Sequence, residues 1–243
     1  MTTIYIMDIS KLNQDEVFER YFARVSLWRR QKIERAKFRM DKNRSLGAAI
    51  LLAHGLLPYG ISERDALICR GKYGKPYISA VLKDGRGEEV RGIHFNLSHS
   101  GTYVAAAFGD VRVGIDIEHI RENWKKIAEH FFSEEEVRNI MACQSEAERR
   151  DLFLRYWTIK ESAMKVSGAG MRIPLRDIFL KENGKVLLKT GNHFSEYFLK
   201  EFEIVSENDI IADGIKSDRG EGGYRISVCA ETDAFAQEMI WVE

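Results

Sequence analysis

The apolar residues of this chain change their period three times, and the order of those changes limits the folds open to it. Between residues 12 and 57 the spacing is helical. Val17, Tyr21, Phe22 and Val25 share one side of a segment over 12–27, and Leu46, Ala49, Ile50, Ala53 and Leu57 share one side of another over 42–57. Pro58-Tyr59-Gly60 ends the second. Residues 93–98, part of 103–108 and 111–117 alternate instead. Ser100-Gly101 and Gly109-Asp110 separate them, which predicts a three-strand antiparallel meander. Helical spacing returns over 124–131, 134–141 and 148–166, and short strands follow near 186–189, 198–205 and 224–230. Helices followed by strands, in each half, predict an α+β fold rather than a parallel α/β sheet. Residues 83–92 are polar and glycine-containing and read as an exposed loop.

A chain of 243 residues can bury one large core or two small ones. Its 44% hydrophobic and 30% charged residues are ordinary for a soluble globular protein. The formal net charge is zero, so no global field favours nucleic acid or an acidic membrane, and neither is expected as a partner. Cys69, Cys143 and Cys229 are odd in number and far apart, without metal-ligand spacing, and read as buried free thiols. No basic-then-apolar leader and no membrane-length apolar run is present, so a cytoplasmic protein is expected, by default.

The chemistry concentrates in a few segments. If 111–118 is a strand, Arg112, Gly114, Asp116 and Glu118 share one face and Val113, Ile115 and Ile117 the other. The apolar face would turn to the core. Two neighbouring carboxylates repel unless a cation sits between them, and magnesium suits such oxygen donors. Gly114 would leave room for a ligand beside the strand. A solvated strand face is the plainer alternative. On the following helix, Glu161 and Lys165 share a face with Trp157, either as a simple ion pair or as a third carboxylate and a phosphate-binding cation. Ser133 with Glu136 has the form of a capping box. Ser98 and His99 end the first meander strand, and no general base accompanies Ser98. A basic run over 29–44, including Arg29, Lys32 and Arg44, leads into the second helix, and Gly74-Lys75-Pro76 sets Lys75 on a stiff turn.

Three of these segments, in this order, carry a resemblance: Phe95-Asn96-Leu97-Ser98-His99-Ser100, Gly114-Ile115-Asp116-Ile117-Glu118 and Trp157-Thr158-Ile159-Lys160-Glu161 with Lys165. Together they resemble the Sfp-type 4'-phosphopantetheinyl transferases, over about residues 26–180. The resemblance implies two similar α+β halves related by a pseudo-twofold axis, each with helices packed on a small antiparallel sheet. They would span residues 1–112, binding the coenzyme A nucleotide, and 113–243, holding metal and catalytic residues, with the active site between them. It implies transfer of phosphopantetheine from coenzyme A to a serine of an apo-acyl or peptidyl carrier protein, by a monomer. Asp116, Glu118 and Glu161 would bind Mg2+. Lys165, Glu161, His99 and Glu136 would be catalytic, Glu136 by helping to deprotonate the carrier serine. Arg29, Lys32, Arg44, Ser45, Lys75, Pro76, Ser98, His99 and Lys165 would contact coenzyme A. A metal-dependent nucleotide or coenzyme A hydrolase, or a non-catalytic coenzyme A or carrier-binding module, are the alternatives. Residues 80–92 form a long loop and 191–222 have no counterpart, so the resemblance says less about carrier recognition than about chemistry.

Overall fold

Six strands and three helices build the first part of the chain, in a computed structural model that describes all residues except 84–85, 89–91, 120–121, 207–208 and 213–222. The strands are β1 (Thr3–Asp8), β2 (Ala66–Arg70), β3 (Pro76–Lys83), β4 (Arg86–Glu88), β5 (His94–Ser100) and β6 (Tyr103–Gly109). The helices are α1 (Asp15–Phe22), α2 (Leu27–Glu34) and α3 (Arg39–Leu56). Antiparallel β1, β6 and β5 carry α3, whose Leu46, Ala49, Ile50, Leu52 and Leu56 join Tyr5, Met7, Phe95, Val104 and Phe108 in one core. Sheet β2-β3-β4 stands apart in sequence and pairing. The polar stretch 83–92 lies partly outside the described residues; within it Arg86–Glu88 is strand rather than loop.

The second part contains β7 (Val113–His119), α4 (Trp124–Phe131), α5 (Glu134–Met141), α6 (Glu146–Ser167), β8 (Ile178–Leu180), β9 (Lys185–Thr190), β10 (His193–Ser206), β11 (Asp209–Ala212) and β12 (Tyr224–Ala230). Its sheet runs β7-β12-β10-β9-β8, with β11 also on β10. Helices α5 and α6 each begin with a complete capping box, Ser133 with Glu136 and Ser145 with Glu148, and the second of these starts α6 two residues before the expected 148. Each part is α+β, as expected, and strands β1 to β12 pair antiparallel.

Two expectations are corrected. The three-strand meander does not form: β6 pairs with β1 on its other edge, and β7 pairs with β12 more than a hundred residues later. The chain divides into two units, Met1–Val111 with Ala236–Glu243, and Arg112–Phe235. The C-terminal residues therefore leave the second half, because β13 (Ile240–Trp241) pairs in parallel with β1. No helix among the described residues is long and apolar enough to cross a membrane.

Candidate active site

The carboxylate strand β7 is buried on both faces, not one. Val113, Ile115 and Ile117 are fully covered, and so, nearly, are Asp116 at 4% and Glu118 at 9% exposure. The polar face is covered by α6. A Cβ on Gly114 would lie 2.1 Å from the Ser162 carbonyl oxygen and 2.4 Å from the Val166 nitrogen, both helix backbone. Gly114 thus admits the helix, and the room expected there for a ligand is filled.

That approach delivers Lys165 to Asp116. Its Nζ donates to Asp116 Oδ1 at 2.6 Å and to the Ile115 carbonyl at 3.1 Å. The same face continues across the sheet in register. Asp116 stands opposite Ser227, which stands opposite Glu201, and Glu118 stands opposite Arg225, which stands opposite Glu203. From α6, Asp151, Arg155, Thr158, Ser162 and Lys165 recur at steps of four and three and meet these rows. Arg155 grips Glu201, Asp151 grips Arg225, the Thr158 hydroxyl lies 2.8 Å from that of Ser227, and Ser162 Oγ 3.2 Å from Cys229 Sγ. Cys229 is fully buried, and burial pushes its thiol up to about 12. Cys69 and Cys143 are free but only half-buried, not buried as expected.

Lys160 points to another side of α6. Buried at 2% exposure, its Nζ donates to Leu175 O at 2.8 Å, Ile178 O at 2.5 Å and Glu136 Oε1 at 2.7 Å. Burial holds this ammonium below the usual lysine range, and Glu136 opposes that shift. The other Glu136 oxygen accepts from Ser133 N and Oγ. Both oxygens of the expected base are therefore engaged, Oε1 in joining α5 to α6 and Oε2 in capping the start of α5. Trp157 packs with Phe131, Phe132 and Phe153, as a core residue.

In the first unit the cations gather around α2. Arg29 is buried, stacked 4.2 Å from the Trp28 ring centroid, and its Nε lies 3.5 Å from Glu63 Oε1. Glu63 also accepts from Ser26 N and Oγ at the start of α2. Arg29, which the resemblance assigns to coenzyme A, also has an internal partner in Glu63, 34 residues on. Partial burial, then the charges of Arg29 and Arg70, hold the Lys32 ammonium below the usual range. Arg70 donates to the carbonyl of Gly74, whose φ of +85° closes the turn carrying Lys75 and Pro76. Arg44 donates to the Gly101 carbonyl and lies 3.5 Å from Asp41, while the buried Ser45 Oγ has no hydrogen-bond partner among the described residues. On β5, Ser98 is buried and His99 exposed.

Two family models cover most of this chain: the 4'-phosphopantetheinyl transferase superfamily over residues 112–229, and the 4'-phosphopantetheinyl transferase N-terminal model over 13–109. A 4'-phosphopantetheinyl transferase of Bacillus subtilis is 31% identical over 87% of this chain and 84% of its own. The chain belongs to the 4'-phosphopantetheinyl transferase family. Two further Bacillus subtilis transferases, ffp and Sfp, are each 29% identical over 95% of this chain and 92% of theirs.

For a member of this family, the donor set on β7 has the right chemistry for magnesium: two carboxylates, hard oxygens only, on one strand face. Among the described residues no group of three His, Cys, Asp or Glu side chains gathers to hold a metal ion, and Glu161 on α6 is half-buried. Instead, Lys165 supplies a positive charge at Asp116. Arg70 and Arg225 belong to these two clusters and carried no signal in the sequence. Arg70 becomes a neighbour of Lys32 through the β2-β3 hairpin, and Arg225 a neighbour of Glu118 through strand pairing.

Proposed function

We propose that this transferase moves the 4'-phosphopantetheine arm of coenzyme A onto a serine of an apo-acyl or peptidyl carrier protein, releasing adenosine 3',5'-bisphosphate. The carrier serine oxygen bonds to the β-phosphorus, the pyrophosphate P–O bond breaks, and the serine proton passes to solvent. The reading rests above all on Lys165, an ammonium held at a buried carboxylate by helix packing. Positioning and charge do most of the work in phosphoryl transfer, and a fixed cation suits both.

Asp116, Glu118 and Glu161 would hold a magnesium ion, which when bound supplies charge neutralisation at the pyrophosphate. Lys165 donates to a pyrophosphate oxygen. Lys32 and Arg70, with Arg29 behind them, receive the 3'-phosphate, since three crowded cations favour an anion among them. Arg44, Ser45, Lys75, Pro76, Ser98 and His99 line the remaining nucleotide and phosphate contacts. Glu136, with both oxygens occupied, serves to position α6 rather than to take the proton. The enzyme acts in the cytoplasm as a monomer, without nucleic acid or membrane.

Intact-mass measurement of apo-carriers incubated with this protein, coenzyme A and magnesium tests the reading. A gain of one phosphopantetheine supports it. Coenzyme A breakdown without any carrier gain would point to a hydrolase, and coenzyme A binding without turnover to a binding module.

A further inference from the structure

The row Glu118–Arg225–Glu203 places one guanidinium between two acids on the sheet face beneath α6. Directly opposed residues on neighbouring antiparallel strands bring their Cβ atoms to about 5 Å. Arg225 is 8% exposed and Glu203 6%, so the row is out of solvent. Arg225 is also fixed from above. Its Nε donates to Asp151 Oδ1 at 2.6 Å and its Nη2 to Asp151 Oδ2 at 2.9 Å, a two-pronged grip from α6. Nη2 lies 3.7 Å from Glu203 Oε2. The guanidinium is thus locked to α6 on one side and β10 on another, and its strand neighbour on the third is Glu118.

We propose that Arg225 is a positioning residue for the transfer site: clamped by Asp151 and Glu203, it fixes the Glu118 carboxylate for a divalent cation. The proposal rests on the assignment of Glu118 to the metal made above. Groups that orient a ligand from behind set its affinity, and losing one typically lowers metal affinity about 10–100-fold. The clamp has a second consequence. Asp151 and Lys165 lie on the same helix, so the contact that clamps Arg225 and the contact that brings Lys165 to Asp116 both fix α6 on the sheet. Arg225 does not touch substrate in this scheme. It acts through Glu118.

Manganese binding followed by electron paramagnetic resonance in the presence of coenzyme A tests this on the whole protein, alongside magnesium titrations of transfer. The variants are Arg225→Met, Arg225→Lys, Asp151→Asn and Asp116→Ala, each checked by circular dichroism. Arg225→Met is expected to weaken manganese binding by about tenfold or more and to raise the magnesium needed for half-maximal transfer equally, with the KM for coenzyme A at saturating magnesium changed less than about twofold. Arg225→Lys should recover part of the loss, and Asp151→Asn should move the same way by less. Folded variants that bind manganese like the wild type, and lose only melting temperature, would overturn the proposal. Should Arg225→Met fail to fold, Arg225→Lys and Asp151→Asn decide by the same criterion. If Asp116→Ala also binds manganese normally, the metal assignment itself is wrong. If Asp116→Ala loses binding and the Arg225 variants keep it, only the role of Arg225 is.

Discussion

Lys165 Nζ lies 2.6 Å from Asp116 Oδ1, and the carboxylate is 5% exposed while the ammonium is 26% exposed. One partner is therefore buried by the fold and the other reaches it from the solvent side. Asp116→Ala is accordingly expected to lower the melting temperature of the metal-free protein, because it removes a buried carboxylate that pairs with this ammonium at 2.6 Å. A double-mutant cycle with Lys165→Ala, read by urea unfolding, should give a coupling of about 1 kcal/mol or more without magnesium. Magnesium with coenzyme A should reduce that coupling, since both then offer the two groups other partners. An unchanged coupling would separate the ion pair from the site.

Gly114→Ala should destabilise the protein by about 1–3 kcal/mol or more, since the new methyl meets helix backbone rather than a side chain that can turn away. Its effect on transfer should exceed what the stability loss explains, because α6 must shift and carries Lys165 with it. Thermal melts and transfer rates well below the melting temperature separate the two effects.

Lys160→Met leaves Glu136 Oε1 and two carbonyls without their shared donor, and breaking such a buried pair costs about 3–5 kcal/mol. The loss should depend on pH with a defined sign. Because burial lowers the folded pKa of Lys160, the folded state binds fewer protons than the unfolded state between that pKa and the ordinary value of 10.5. Wild-type stability gains a rising contribution with pH through this window, and full contribution above it. The deficit of Lys160→Met relative to wild type should therefore widen as pH is raised toward 10.5. A deficit that narrows with pH would contradict the assignment.

Much of this was legible in the sequence. The ends of α4 and α5 follow from periodicity and from the Ser133 capping box, which is a local signal. Alternation located β5, β6 and β7 but could not say which strands pair, because a face is a local property and a partner is not. Strand β1 went unread: Ile4, Tyr5, Ile6 and Met7 are all buried, so no alternation marks it. The polar alternation Arg225, Ser227, Cys229 resembles a solvent-facing strand, yet α6 covers it with its own polar stripe. Arg29 looked unpaired because its acid, Glu63, belongs to another segment, and the role of Lys160 depends on carbonyls that no sequence displays.

Removing charge at Lys32 and Arg70 should reduce the preference for coenzyme A over dephospho-coenzyme A, mainly through KM. Arg29→Ala should do so too, but with a clear loss of stability, because it strands the buried Glu63 that also caps the start of α2. Comparing the two substrates with each variant, and melting each, distinguishes the exposed cations from the buried one.

The most direct measurement is single-turnover transfer to an apo-carrier, followed by intact mass, for the wild type and for Lys165→Ala under saturating coenzyme A and magnesium. If Lys165 meets charge that grows in the transition state, its loss should slow the chemical step by about 10²-fold or more, with little change in KM for coenzyme A. A variant that transfers phosphopantetheine at nearly the wild-type rate would contradict the assignment of this buried pair to the active site.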